Sequence, residues 1–178
     1  GLLVSQSVSG PLKSFLDLFL ARQASQGSLH LFEVRSLLEV EIAGLAADRA
    51  TPEEMADLEM IQQELRRLNQ KPGPWSGDDT LEFERLDFQF HRALAKCTKN
   101  ELFVLLLSAL ADAFMNAWAS MSRQPEVRRH GIEMHEKIFA AVRDRDARAA
   151  RRATRENLKT FLEDASGMDA GKEESVSR

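Results

Sequence analysis

Cysteine is almost missing from this chain: Cys97 is the single thiol in 178 residues. One thiol excludes an internal disulfide framework and any multi-cysteine zinc site, and it suits a reducing compartment. Proline and glycine are sparse too, with five and nine copies. They cluster in a few places and leave long segments without breakers. There is no basic excess: 24 Lys and Arg against 28 Asp and Glu give a net charge of −4. That balance argues against a free-standing nucleic-acid binder. Long apolar runs are also lacking. The stretch Leu102 to Leu107 is far shorter than the ~20 residues a membrane-spanning helix needs. The first residues lack the charged, apolar and small-residue order of a signal peptide. A cytoplasmic protein with no membrane partner is the expectation. What is present, 43% hydrophobic and 29% charged residues, is the composition of a folded globular domain. The length fits one domain.

The breakers divide the chain into helices. Ser9-Gly10-Pro11 reads as a cap with proline at the first helical position, which predicts a helix to about Ala24. Gly27 punctuates, and a second helix is expected from Leu29 to Arg49. Thr51-Pro52-Glu53-Glu54 carries a capping box: a threonine cap, a proline at N1 and a glutamate at N3. Its helix should end near Asn69. Lys71 to Gly77 must be a loop. Asp79 with Glu82 marks the next start, running to Cys97. Asn100 opens a helix to about Met121, and Arg123-Gln124-Pro125 breaks the chain. A further helix covers Glu126 to Arg143, and Asp144 or Asp146 opens a last one to about Ala165. Residues 166–178 are small and charged, a flexible tail. No segment alternates apolar and polar residues long enough for a strand, and only Gly1 to Val4 resembles a strand remnant. The fold class is all-α: an antiparallel helical bundle of six to seven helices.

The informative residues are polar ones on apolar helix faces. At about 100° per residue, Phe83, Leu86, Phe90, Leu94 and Cys97 form one stripe. Asp87 and His91, four apart, share one face on the flank of that stripe. Such a pair can chelate one metal ion. It can equally be an Asp–His pair that closes the edge of a core. In the helix after Pro125, Ile132, Ile138, Phe139 and Val142 define the buried face, and His135 lies in its middle. A buried imidazole needs hydrogen-bond partners or a metal. Arg128 lies two turns earlier on nearly the same side. It wants a carboxylate or phosphate, or a salt bridge to a neighbouring helix. In the last helix Asn157 falls among the inward Ala150, Ala153, Leu158 and Phe161. Arg35 flanks the stripe of Leu31, Val34, Leu38, Ile42 and Leu45, one turn before Glu39, with which it can pair. Polar groups on four helices aimed at the interior point to a polar cavity inside a bundle.

His30 and His130 read as surface residues. The arginines from 143 to 155 wrap around their helix beside acidic neighbours and read as a solvated face. Met115, Trp118 and Met121 are spaced for a core or a dimer seam.

The order of these elements resembles a known family. Leu31-Phe32-Glu33-Val34-Arg35-Ser36-Leu37-Leu38-Glu39, with the alanine-rich run to Ala50 and Thr51-Pro52-Glu53-Glu54, is similar to the effector-binding (FCD) domain of FadR-type regulators in the GntR family. So are Asp87-Phe88-Gln89-Phe90-His91-Arg92-Ala93-Leu94, Asn100-Glu101-Leu102, His135-Glu136-Lys137-Ile138, Arg145-Asp146-Ala147, and the run from Ala150 to Leu158. The likeness covers roughly residues 12 to 165. Each motif alone is weak, but six in order at compatible spacing are specific.

The resemblance implies an antiparallel bundle that senses a small organic acid at or beside a divalent metal (Zn, Ni, Mn or Mg) and forms a homodimer. Asp87, His91 and His135 match three metal-ligand positions. The fourth, usually a histidine, falls on Asn157, whose amide suits hard cations better than zinc. Arg35 and Arg128 are candidates for the effector carboxylate from their helical phase. The resemblance also implies a winged helix-turn-helix for DNA binding, which this sequence does not contain. Residues 1–10 then read as the wing end and linker, and 11–165 as the effector-binding bundle of a longer regulator. A metal-dependent helical enzyme is the alternative, though no Glu-x-x-His precedes any of its four histidines. A ligand-free dimerisation module is the plainest reading.

Overall fold

The computed structural model describes residues 2–72, 74–110 and 124–159. Among them the chain is helical, with no strand: α1 (Leu2–Arg49), α2 (Pro52–Asn69), α3 (Gly77–Cys97), α4 (residues 101–110), α5 (Pro125–Arg143) and α6 (residues 147–159). No described helix is long and apolar enough to cross a membrane. The all-α bundle expected from the sequence is what forms. The continuation of α4 to Met121, the Met115–Trp118–Met121 seam, Phe161 and the tail lie outside the described residues.

Local chemistry sets the boundaries. Thr51 caps α2 as predicted: its Oγ1 accepts from Glu54 N at 3.3 Å, and Thr51 N donates to the Glu54 carboxylate at 2.9 Å. Such a cap contributes about 1 kcal/mol. For α3 the cap is Ser76 rather than Asp79. Asp79 sits at N3, closing the box from within, and accepts from Lys71 Nζ at 2.6 Å. Asp146 opens α6 by accepting from Ala149 N at 2.9 Å. The helices α3 and α5 stop at Lys99 (φ 61°) and Arg145 (φ 59°), left-handed turns on non-glycine residues.

The largest departure from expectation is α1. The predicted break at Gly27 is absent, Pro11 lies inside the helix rather than at its start, and residues 2–4 are helical rather than a strand remnant. A lone glycine costs a helix only about 1 kcal/mol relative to alanine. Without a following proline or cap it weakens the helix and does not stop it.

Contacts between helix ends fix the topology. Arg49 Nη1 donates to Thr98 O at 2.8 Å, Lys99 Nζ to Glu54 at 2.5 Å, and Arg145 Nη1 to Ala47 O at 3.2 Å. So α1, α3 and α5 end where α2, α4 and α6 begin, and helices consecutive in the chain run antiparallel. That end is built of small residues. Ala43, Ala46 and Ala47 of α1 and Ala50 just past its end pack with Ala95, Cys97, Ala141, Ala150 and Ala153 in one buried cluster. A second cluster, including Leu31, Phe32, Leu65, Phe83 and Ile132, fills the other half. The apolar stripe of α1 holds except at Val34, which is 49% exposed. Gly44 shows how tight the α1–α6 approach is: a Cβ there would lie 2.3 Å from Arg151 Cζ.

Candidate metal centre

Between the two clusters, α1, α3 and α5 bury Glu39, Asp87, His91 and His135. The stripe Phe83, Leu86, Phe90, Leu94 and Cys97 turns the core face of α3 inward, as predicted. Asp87 and His91 on its flank are drawn in with it. His135 faces them from the buried side of α5. His135 Nε2 lies 3.1 Å from His91 Nε2 and 3.3 Å from Asp87 Oδ1. A ligand atom from each of the three falls within 4.8 Å of the others. In a tetrahedral site with bonds of about 2.0–2.1 Å, neighbouring ligand atoms sit roughly 3.3 Å apart. The two pairs made by His135 present that spacing, and the third, between Asp87 and His91, lies within 4.8 Å.

The far sides of the two imidazoles are held differently. His91 Nδ1 lies 3.3 Å from Glu39 Oε2, at ion-pair distance but off the line of a hydrogen bond. Glu39 is itself fixed by the Arg35 Nε, four residues earlier. His135 is held by its ring face: Phe90 stacks on it with centroids 4.3 Å apart and planes 19° from parallel. His135 Nδ1 has no hydrogen-bond partner among the described residues.

Burial governs the electrostatics. It pushes the Asp87 carboxyl up to about 7, against the pull of Arg35 and helped by Glu39 and Glu84. It pulls His91 down to about 3, with Arg35 adding to the effect. It holds His135 well below the usual histidine range, with His91 adding to the effect. Both imidazoles are therefore neutral, the form whose ring nitrogen can donate a lone pair to a metal. The carboxylate is the group a cation would hold ionised. The residues present fit a divalent ion.

Arg128 is buried, with its guanidinium 3.9 Å over the Trp75 ring. Trp75 packs edge-on against Phe83 at 5.8 Å. Arg128, Trp75, Lys71 and Glu84 line a cleft of about 780 Å³ at the end of the bundle opposite the alanine-rich one. Arg35 is tied to Glu39, the pairing its spacing allowed. Asn157 is half-buried on α6, and among the described residues no hydrogen bond joins it to the three convergent groups.

Residues 30–160 match the family model of the FCD domain. The chain belongs to the FCD family. One relative is an "HTH-type transcriptional repressor NanR" of Klebsiella aerogenes, 32% identical over 160 residues that cover 88% of this chain and 56% of that protein. Another is the HTH-type transcriptional regulator LutR of Bacillus subtilis, 36% identical over 118 residues, covering 63% of this chain and 50% of that one. This FCD chain spans about half the length of the curated relatives it matches. Among solved structures, Streptococcus agalactiae GntR aligns with a TM-score of 0.61 at 25% identity, over 75% of this chain and 57% of that one. E. coli McbR/YncC aligns at 0.68 over 82% and 66%, and at 17% identity it speaks for the fold alone.

Sequence reasoning missed three features of this FCD chain. The sequence offers Glu39 only as a partner for Arg35, although it also faces His91. Its i+4 offset from Arg35 and its place between Leu38 and Ile42 on the inward face were the available signal. Trp75 sits in a loop with no periodicity to place it. Gln62 is 1% exposed, with Nε2 donating to Ile132 O at 3.1 Å. Its position between Leu58 and Leu65 on the apolar face of α2 marked it. His130, read as a surface residue, is half-buried, and its Nε2 is shielded from solvent.

Proposed function

We propose that this chain is the ligand-sensing and dimerising part of a cytoplasmic GntR-type transcriptional regulator, and that it is not an enzyme. Its ligand is a small organic acid bound at or beside a divalent metal. Asp87, His91 and His135 hold the metal, with Asn157 as a weaker fourth ligand. DNA is reached only through a separate winged helix-turn-helix domain of the longer protein. The observation that carries this reading is the convergence of three buried donor atoms within 4.8 Å inside an FCD bundle.

A divalent ion bound there supplies a positive centre to which a carboxylate can coordinate. The chain's own residues do the rest. Neutral His91 and His135 offer lone pairs, and Asp87 supplies the negative charge. Arg128, steadied on Trp75 in the cleft at the end of the bundle, attracts the acid and orients it. The apolar residues on both sides exclude water, which strengthens each of these contacts. Acid binding can shift the bundle between two arrangements only by the difference in its affinity for each.

Calorimetry with a panel of short carboxylic and hydroxycarboxylic acids tests this on chelator-treated and metal-reloaded protein. Binding should need the metal and should weaken in Arg128→Ala. Equal acid affinity with and without metal, or after His91→Ala with His135→Ala, would remove the metal from the function. Catalytic turnover of a bound acid would move the chain into the enzyme class.

A further inference from the structure

Glu39 is a buried acid that the metal reading leaves without a task. It is 2% exposed, and nothing in that reading requires a carboxylate on α1 at this depth. One of its oxygens takes the Arg35 Nε. The other, Oε2, has no hydrogen-bond partner among the described residues and lies 3.3 Å from His91 Nδ1. A buried acceptor without a donor costs about 1–3 kcal/mol. A half-made contact to an imidazole nitrogen is the arrangement a metal site uses when it orients a ligand from behind.

We propose that Glu39 is the positioning residue of the metal centre. It accepts a hydrogen bond from the Nδ1–H of His91, which fixes the tautomer that leaves Nε2 free to bind metal. Arg35 serves this contact by holding the carboxylate in place. Its role is therefore positioning rather than effector capture, and effector capture falls to Arg128.

Three observations favour this over a plain salt bridge. An Arg–Glu pair formed only for stability gains little from burial, because both charges lose their hydration. The pair is also directional: Arg35 engages Oε1 and leaves Oε2 facing the ring. Finally, His135 has Phe90 stacked on its face to set its orientation, whereas His91 meets Phe90 edge-on, with planes 84° apart. His91 is the ligand that needs a second-sphere carboxylate.

The inference rests on the metal reading, but one of its two tests does not. The first is the tautomer of His91, read from its ring ¹⁵N shifts in metal-stripped protein. Wild type should show protonated Nδ1, and Glu39→Ala should shift His91 to the Nε2–H form or to a mixture. The second is Zn²⁺ affinity by competition with a chromophoric chelator. Loss of an outer-sphere partner should weaken it by about 10–100-fold in Glu39→Ala. Glu39→Gln keeps an acceptor oxygen without the charge, so it should fall between Ala and wild type. It also keeps the test open if the alanine variant fails to fold. Arg35→Ala should weaken Zn²⁺ in the same direction as Glu39→Ala, by less. A wild-type His91 protonated at Nε2, or a folded Glu39→Gln protein that binds Zn²⁺ like wild type, overturns the proposal. If wild type binds no Zn²⁺ at all, the metal function falls, and the tautomer alone then decides the role of Glu39.

Discussion

Two stretches of the same helix bury themselves in opposite ways. From Ala43 to Ala47, α1 presents small apolar faces, and the neighbouring helices come close. Polar groups there are satisfied: Ala47 O accepts from Arg145 and Thr98 O from Arg49. Two turns earlier, from Arg35 to Glu39, the helix buries a charged pair against two imidazoles and a second carboxyl. Here polar atoms are left over, Glu39 Oε2 and His135 Nδ1 among them. A buried polar atom without a partner needs a reason. The alanine-rich end is where folding free energy is gained. The centre gives up some of that free energy to hold ligand atoms ready.

The contrast breaks most visibly at Leu58, which is fully buried in the alanine-rich cluster. Leu58→Ala should cost about 2–5 kcal/mol of unfolding free energy, measured by denaturant titration. Metal stoichiometry in the folded fraction should not change. If metal binding is lost in proportion to stability, the two regions are one cooperative unit and the contrast is wrong.

The mirror experiment is His91→Ala with His135→Ala. Metal affinity should fall by more than the roughly 100-fold that an outer-sphere partner can command. The metal-free double variant should lose less stability than Leu58→Ala, because it also removes polar atoms that were poorly satisfied. A larger loss would mean that the histidines are core residues first.

A pH series sharpens the centre further. The folded protein holds the Asp87 proton up to about pH 7, whereas its ordinary value is 3.8. Between those values the folded state keeps a proton that the unfolded state has released. The Asp87 contribution to metal-free stability therefore falls as pH rises through this window and levels off above it. His91 and His135 act in the other direction, since their folded values are depressed and the unfolded chain takes up protons as pH drops below about 6.5. Comparing wild type with Asp87→Asn isolates the carboxyl. The variant should gain on wild type steadily from pH 4 to 7. A flat difference would show the carboxyl ionised throughout.

Much of this was legible in the residue order, and the exceptions have physical causes. Helix α2 was readable to the residue because Thr51-Pro52-Glu53-Glu54 is a local signal that needs no tertiary help. Asp87, His91 and His135 were legible because helical phase puts them beside apolar stripes that must be buried. Glu39 was harder. Its pairing with Arg35 is local, but its facing of His91 depends on how α1 crosses α3, and spacing within one helix does not encode that. Trp75 was invisible for the same reason, since a loop residue has no phase. Gly27 misled because glycine is a breaker only where the surrounding turn chemistry agrees.

The smallest effect tests how far the packed end extends. Gly44 sits within the alanine-rich run, and an added Cβ would meet the Arg151 guanidinium. That guanidinium is the far end of a flexible chain, and it bridges to the half-exposed Glu41 at 3.1 Å. Alanine in place of glycine favours a helix by about 1 kcal/mol. Loss of a solvent-exposed bridge costs about 0–1 kcal/mol. The two nearly cancel, so Gly44→Ala should change stability by less than about 1 kcal/mol on these scales. Thermal unfolding at low and high salt reads both parts, since only the bridge is screened. A loss as large as that of Leu58→Ala would show that Arg151 cannot swing away. The close-packed region would then reach outward to the Arg151–Glu41 bridge, and the arginine that looks like surface decoration would belong to the core.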